Sequence, residues 1–167
     1  VDVKKLGRIP DGGGHRKLGR TIGNRHNKKR GRGYAFVHHA VDDHSRLAYS
    51  EILDDERKET AAEVWERARH YFAGHDVIIK SVLTDNGSCY RSKLFAQALG
   101  PGVRHRKTRP YRPQTNGKVE RFNRTLNHEW AYAQTYLTDE SRAATYQAWV
   151  HLYNHHRPHT GIGGKSP

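Results

Sequence analysis

The sequence predicts a single α/β domain in which a mixed, five-stranded sheet is flanked by helices. Three candidate strands come first, and two more alternate with helical segments, an order typical of α/β sandwiches. The strongest strand, 77–84, ends directly before Asp85, and open α/β sheets place their chemistry at such carboxyl ends. The 167 residues suffice for one core, although only 34% of them are hydrophobic.

The candidate strands are short runs of apolar or β-branched residues bounded by turn signals. They cover residues 1–6, 34–41, 47–53, 77–84 and 103–108. Asp42 to Ser45 predict a tight turn between the second and third strands. Residues 7–33 are rich in glycine, lysine and arginine and show neither helical nor strand periodicity, so we predict a basic loop or arm there. Such an arm either grips DNA or is a solvated insertion.

Four segments have apolar residues at helical spacing: 58–72, 92–99, a helix that opens just before Glu120, and 139–155. Thr60 and Asp55 are the candidate caps of the first. The apolar stripe of the Glu120 helix consists of Val119, Phe122, Leu126, Trp130 and Ala133. Glu120, Arg124 and Asn127 follow a second line along the edge of that stripe.

A formal charge of +13 and an isoelectric point near 10.1 favour a polyanionic partner, nucleic acid above all. No apolar run approaches the length of a membrane span. The single cysteine, Cys89, excludes an internal disulfide and a cysteine-based zinc finger, and it suits a reducing cytoplasm. The absence of methionine and a start at Val1, within a candidate strand, predict a piece of a longer protein.

Two acidic residues occur in contexts that suit a metal-bound phosphate. Asp85 ends a strand and is followed by the turn signal Asn86-Gly87, while Glu120 begins a helix. An acid at a strand end and another on a nearby helix can converge on divalent ions, and Asp2 offers a third carboxylate. Taken singly, Asp85 is equally explained as a turn former and Glu120 as a first-turn acid favoured by the helix dipole.

At these residues the chain resembles the retroviral-integrase-type catalytic core of bacterial insertion-sequence transposases. The resemblance is carried by four stretches: Asp2 to Lys5, Leu83 to Ser88, Pro113 to Arg124 and Tyr153 to His159. Asp85 and Glu120 are 35 positions apart, close to the interval characteristic of this family. The basic segment 7–33 is longer than the short hairpin turn usually found there.

The resemblance implies an RNase H-like fold over residues 1–167, with Asp2, Asp85 and Glu120 holding two Mg²⁺ or Mn²⁺ ions. Such enzymes nick the ends of a mobile element with activated water, and the freed 3′-hydroxyl then attacks target DNA. The implied partners are element-end and target DNA and a second copy of the chain, for which the Trp130 to Trp149 region offers an apolar surface. Two rivals stay open: an RNase H-like nuclease that only hydrolyses, and an inactive DNA-binding module.

Asp42 competes with Asp2 as the first acid, because its Asp-Asp-His-Ser-Arg context also resembles a family signature. Asp42 falls at a predicted hairpin turn, where aspartate is more often used to build the turn, so we prefer Asp2. Lys4 stands where family members often have threonine.

A further set of residues is predicted to bind DNA, through phosphate contacts and, for the tyrosine, base stacking. It consists of Arg109, Tyr111, Arg112, Asn116, Lys118, Arg121, Arg124 and Asn127. The alternative is that these residues form a solvated edge. His151, His155, His156 and His159 suggest zinc, but without an accompanying acid or cysteine we interpret them as structural or DNA-facing.

Overall fold

The computed structural model describes residues 1–30, 33–108 and 117–167, and only the backbone of 23–30. The strands are β1 (Asp2–Gly7), β2 (Tyr34–Val41), β3 (Ala48–Leu53), β4 (Ser81–Thr84) and β5 (Arg104–Lys107). The helices are α1 (His15–Arg30), α2 (Lys58–Ala73), α3 (Lys93–Ala98), α4 (Gly117–Leu126), α5 (Asp139–Ala143) and α6 (Tyr146–His155). A π-helical turn, Asn127–Ala131, continues α4, and a 3₁₀ turn covers Thr160–Ile162.

The strands form two sheets, so the prediction of one five-stranded sheet is wrong for the described residues. Strands β1, β2 and β3 are antiparallel neighbours in that order, while β4 and β5 form a separate parallel pair. The sheets meet where the amino group of Val1 donates a 2.8 Å hydrogen bond to the carbonyl of Leu83. Among the described residues, β1 and β4 are not paired as neighbouring strands, so this bond is a single link between the two sheets.

Two apolar clusters cover the sheets. One is built around α2 and α3 and includes Trp65, Phe72 and Phe95. The other is built around α4 and α6 and includes Phe122 and Trp149. Val1 and Val3 pack against the first cluster, whereas Leu6 belongs to the second. Alternate residues of β1 therefore face opposite layers, which places Asp2 on the α4 side.

The predicted loop 7–33 is wrong for His15–Arg30, whose backbone is helical on both sides of a break at Gly19. Gly19 has φ 76° and ψ 162°, a conformation that glycine adopts without steric cost. Arginine and lysine are good helix formers even without an apolar stripe, so the missing periodicity did not exclude a helix.

The predicted segment 77–84 contributes only Ser81–Thr84 to a strand, whereas 103–108 and the helices at 58–72 and 92–99 are confirmed within one or two residues. Ser92 caps α3 by accepting the N–H of Phe95 at 3.1 Å. Asp55 supports the start of α2, since its carboxylate accepts hydrogen bonds from the Arg57 N–H and the Thr60 hydroxyl.

The apolar stripe of the Glu120 helix is confirmed at Val119, Phe122, Leu126 and Trp130, all of which are buried. It fails at Ala133, which is exposed, while Ala131 is buried instead. The helical stretch ends at Ala131, so Ala133 lies beyond it in a turn. The extra residue per turn of the π-helical turn Asn127–Ala131 brings Ala131 onto the buried face.

The predicted helix 139–155 is two helices, α5 and α6, that meet around Thr145. The Thr145 hydroxyl donates to the Arg142 carbonyl at 2.8 Å and accepts the Trp130 indole N–H at 2.9 Å. Trp130 and Trp149 are both buried and belong to the core, so the exposed large apolar side chains of this region are Tyr132 and Leu137.

Candidate metal centre

Asp2 and Asp85 lie close together where the two sheets meet. Asp2 is the first residue of β1, and Asp85 directly follows the last residue of β4. The hydrogen bond from Val1 to Leu83 brings these two strand ends together. Tertiary structure thus pairs two carboxylates that are more than eighty positions apart in the sequence.

The Asp2 carboxylate is mostly buried and, in the part of the chain that the structure describes, has one side-chain partner, Asn123 of α4. The Asn123 amide donates to Asp2 Oδ2 at 3.0 Å. Burial raises the pKa of the Asp2 carboxyl above its ordinary value, and the neighbouring Asp85 carboxylate raises it further. The hydrogen bonds from Asn123 and from the Val3 backbone act in the opposite direction without cancelling the effect of burial. The site therefore disfavours a second negative charge.

Asp85 is held by the turn that follows β4. Its Oδ1 accepts the Gly87 N–H at 2.9 Å, and the Asn86 amide donates to the Thr108 carbonyl at 2.9 Å. A Cβ atom at position 87 would lie 3.0 Å from Asp85 Oδ1, so glycine permits this close approach. The Asp-Asn-Gly sequence thus builds the predicted turn and also fixes the orientation of the Asp85 carboxylate.

Glu120 lies in the first turn of α4, exposed, three residues before Asn123 on the same side of the helix. It makes no hydrogen bond or ion pair with a described residue. Within 1–30, 33–108 and 117–167, no three His, Cys, Asp or Glu side chains are placed so that they could hold one metal ion. Glu120 therefore stands on the helix that contacts Asp2, without joining the Asp2–Asp85 pair.

The donor atoms suit a hard divalent cation. Asp2 and Asp85 supply carboxylate oxygens, the ligands that Mg²⁺ and Mn²⁺ prefer. The Asn123 side chain, which donates to Asp2, also has a buried amide oxygen with no hydrogen-bond partner among the described residues. The Asp2 carboxyl with its raised pKa, the neighbouring Asp85 carboxylate and the unpaired buried oxygen of Asn123 together form a polar site that a cation would stabilise.

Asp42 is engaged in the β2–β3 turn, as its position in the sequence predicts. Its Oδ2 accepts both the N–H and the hydroxyl of Ser45, at 2.7 and 2.8 Å. Burial would raise the pKa of Asp42, but the hydrogen bonds from Ser45 outweigh it and lower that pKa. The structure gives this carboxylate a local role, which favours Asp2 as the partner of Asp85.

Half of the predicted DNA-binding set can be located. Arg121 and Arg124 are exposed on α4 and make no ion pair with a described residue. The Lys118 ammonium instead contacts the Asp43 carboxylate and donates to the Asp43 carbonyl at 3.0 Å. The amide oxygen of Asn127 is buried, so that atom does not face solvent. Four members lie outside the described residues: Arg109, Tyr111, Arg112 and Asn116.

The carboxyl-terminal histidines divide into two kinds. His159 is buried, and its Nε2 lies 3.0 Å from the Tyr153 carbonyl, which gives it a structural role. His151, His155 and His156 are exposed at the end of α6, with 3.3 Å between the Nε2 atoms of His151 and His156. Cys89 is buried, as expected of a small apolar residue.

Asn123 is the site residue that the sequence reasoning did not single out. It lies between the two lines traced on the helix, the apolar stripe and the Glu120 edge, and so belonged to neither. The available signal was its position three residues after Glu120, which puts both side chains on one side of the helix.

Two family models, both described as integrase core domain, match residues 9–113 and 101–167. Asp85 lies in the first range and Glu120 in the second, whereas Asp2 precedes both. The chain is 26% identical over 146 residues to "Putative integrase ORF3" of Spiroplasma virus SpV1-C74, which covers 79% of the chain and 40% of that protein. It is 32% identical over 88 residues to the Escherichia coli transposase InsD for insertion element IS2A/D/F/H/I/K, which covers 51% of the chain and 29% of the transposase. The chain thus spans well under half the length of these relatives.

Two solved structures share the fold. A chain of the simian T-cell lymphotropic virus intasome in complex with PP2A regulatory subunit B56 gamma superposes with a TM-score of 0.62 at 24% identity, covering 80% of this chain and 46% of that one. The catalytic core domain of BIV integrase gives a TM-score of 0.58 at 20% identity, covering 80% of this chain and 82% of that one. These superpositions confirm the RNase H-like fold. Because one integrase core domain model matches more than half of the chain, the chain belongs to the integrase core domain family.

Proposed function

We propose that this chain is the catalytic core of a DNA transposase, which cuts a strand at the ends of a mobile element and joins the 3′-hydroxyl to target DNA. The observation that carries the proposal is the pairing of Asp2 with Asp85 at adjoining strand ends, beside the helix that bears Glu120. The names of the relatives, a transposase and an integrase, support it.

Asp2, Asp85 and Glu120 are the residues that would hold two Mg²⁺ or Mn²⁺ ions. Bound there, the ions would activate the attacking oxygen and stabilise the leaving one. Asp2 and Asp85 supply fixed oxygens, because Asn123 holds one carboxylate and the Gly87 N–H holds the other. Glu120 completes the set by turning toward the pair, a movement left open by its exposed position and by the absence of a partner among the described residues.

DNA is the substrate that the charge of the chain favours. Arg121 and Arg124 extend from α4, the helix that also carries Glu120. A DNA backbone lying along this helix would therefore bring its phosphates to the site. Lys118 can join them by exchanging the Asp43 carboxylate for a phosphate. We also retain Arg109, Tyr111, Arg112 and Asn116 as DNA contacts on the strength of the sequence.

Location and assembly follow from the same proposal. In the described part of the chain, no helix has the length and apolar character needed to cross a bilayer. The relative from Escherichia coli suggests the bacterial cytoplasm, at the nucleoid when bound to DNA. We expect a homodimer or higher oligomer, which light scattering during size-exclusion chromatography would measure directly.

The test is an assay with labelled duplex DNA and either Mn²⁺ or Mg²⁺, scored for both cleavage and joining of 3′-hydroxyl ends. Wild type is compared with Asp2→Asn, Asp85→Asn and Glu120→Gln, and with Glu63→Gln as a matched control on the exposed face of α2. We expect both activities to be lost in the first three variants and kept in the control. Asp42→Asn should cleave like wild type.

The rival functions predict other results. Cleavage without joining identifies a nuclease that only hydrolyses. DNA binding without cleavage, with Mn²⁺ affinity unchanged by Asp85→Asn, identifies a non-enzymatic module and overturns the proposal. Activity that survives Asp2→Asn but is lost in Asp42→Asn would identify Asp42 as the first metal-binding acid. The proposed function would then stand with Asp42 in place of Asp2.

A further inference from the structure

Two exposed histidines meet at the carboxyl end of α6, and the proposed function uses neither of them. His151 lies on the helix, and His156 is the residue that caps its end. Their Nε2 atoms are 3.3 Å apart, and their ring centroids are 5.2 Å apart. In a regular helix, two residues with this separation in sequence point about 140° away from each other. The backbone of His156 leaves the helical conformation, at φ −128° and ψ −24°, which allows its ring to lie beside that of His151.

These distances match the geometry of two imidazoles bound to one metal ion. With metal–nitrogen distances of about 2.0–2.1 Å and a tetrahedral angle, two Nε2 ligands lie about 3.3 Å apart. Their ring centroids then lie about 5.2 Å apart, because each ring continues the line from the metal through its nitrogen. His151 and His156 show both of these separations. Their Nε2 atoms therefore point toward a common position outside the helix.

The backbone that carries the pair is held in place by hydrogen bonds. The N–H groups of His156 and Arg157 both donate to the Leu152 carbonyl, at 3.0 and 2.8 Å. On the inner side of α6, the buried Asn154 amide exchanges hydrogen bonds with the Ala48 backbone. A bound ion would therefore have to order only the two exposed side chains, which keeps the entropic cost of binding low.

The electrostatic surroundings favour neutral imidazole and tolerate a cation. The Arg157 guanidinium, next to His156 in the sequence, is paired with the Glu129 carboxylate at 2.7 Å. Desolvation, and after it the neighbouring His151 and His156, lowers the pKa of His155 below its ordinary value. The crowding of imidazoles thus disfavours protonation, which competes with metal binding for the same lone pairs.

We propose that His151 and His156 chelate one divalent ion of the Zn²⁺ class, with water in its remaining positions. Imidazole nitrogen suits Zn²⁺, Ni²⁺ and Cu²⁺, whereas Mg²⁺ and Mn²⁺ prefer carboxylates such as those of Asp2 and Asp85. Among the described residues, no third His, Cys, Asp or Glu is placed to join the pair, so the site is open to solvent. The bound ion ties the residue that ends α6 to the preceding turns of the helix.

His155 is the competing partner of His151, because it lies one turn further along α6 on the same side of the helix. Its ring centroid is 4.6 Å from that of His151 and 6.5 Å from that of His156. Neither value equals the separation of about 5.2 Å that a shared tetrahedral ion requires. His155 is therefore a matched control, since it is also an exposed histidine at this end of the helix.

The test is calorimetric titration with Zn²⁺ of wild type and of the variants His151→Ala, His156→Ala and His155→Ala. All three side chains are exposed, so each variant should fold like wild type. Loss of an outer partner of a metal ligand already weakens binding about 10–100-fold, so we expect loss of either ligand to weaken this site by about tenfold or more. His155→Ala should bind Zn²⁺ like wild type.

Two further measurements separate this site from the carboxylate pair. Asp85→Asn should keep the zinc site, and NMR of the imidazole nitrogens should show Zn²⁺ shifting the Nε2 resonances of His151 and His156. Zinc affinity that is unchanged in His151→Ala would overturn the proposal, as would a site that is lost in His155→Ala and kept in His156→Ala. A zinc site that disappears only in Asp85→Asn would also refute it. No measurement depends on DNA cleavage, so the result is independent of the proposed transposase activity.

Discussion

Replacing His39 should reduce the acid sensitivity of this fold. His39 is fully buried in β2, and its ring packs against Phe122 of α4 with 4.8 Å between centroids. Burial lowers the pKa of His39 from 6.5 to about 3, and the opposing interaction with the Val37 backbone is too weak to restore it. The folded protein thus keeps this imidazole neutral at pH values at which the unfolded chain binds a proton.

The difference between the folded and unfolded pKa of His39 determines the direction in which stability changes with pH. Because the folded pKa is depressed, the contribution of His39 to stability is complete above about pH 6.5 and is lost progressively as the pH falls toward 3. A pH of 5 is about 1.5 units below the pKa of this side chain in the unfolded protein. Each unit corresponds to about 1.4 kcal/mol of unfolding free energy. The expected loss between pH 7.5 and pH 5 is therefore about 2 kcal/mol from this one residue.

Urea unfolding of wild type and His39→Gln at pH 7.5 and pH 5 measures this loss. Glutamine does not titrate, so the difference in unfolding free energy between the two proteins should shrink by about 2 kcal/mol on acidification. His70→Gln is the matched control, since His70 is an exposed histidine of α2. A difference between wild type and His39→Gln that is the same at both pH values would refute the assignment of this proton to His39.

Three further predictions concern single side-chain contacts. Asn123→Ala should weaken Mn²⁺ binding about tenfold in calorimetric titration, with little change in Tm, because it frees the Asp2 carboxylate. An unchanged Mn²⁺ affinity would mean that this hydrogen bond does not position Asp2. Asn154→Ala should lower the free energy of unfolding by about 3 kcal/mol in urea, since the buried amide exchanges two hydrogen bonds with the Ala48 backbone; a loss under about 1 kcal/mol would contradict this. Ser92→Ala should cost about 1 kcal/mol in the same assay through loss of a helix cap, whereas Ser92→Thr should restore most of it.

Patterns of neighbouring residues determined most of the secondary structure. The stripe from Val119 to Trp130 predicted α4 and its buried face, because a helix brings residues three and four apart onto one side. Asp42 to Ser45 predicted a turn that its own side chains build, and Asp-Asn-Gly placed Asp85 directly after a strand. All of these depend on contacts within a few residues, which a linear sequence displays.

Other features were decided by contacts between distant segments. Asn123 became a partner of Asp2 because α4 packs on the sheet formed by β1, β2 and β3, and no local pattern marks a bond between residues 121 positions apart. The π-helical turn replaced Ala133 by Ala131 in the core, and Thr145 divided one predicted helix in two through its bonds to Arg142 and Trp130. The sheet is split for the same reason: strand pairing depends on which backbones lie side by side, and the local sequence does not contain that information. The sequence by itself thus determined which carboxylates are candidates for the site, and the packing of β1, β4 and α4 decided how near to each other they lie.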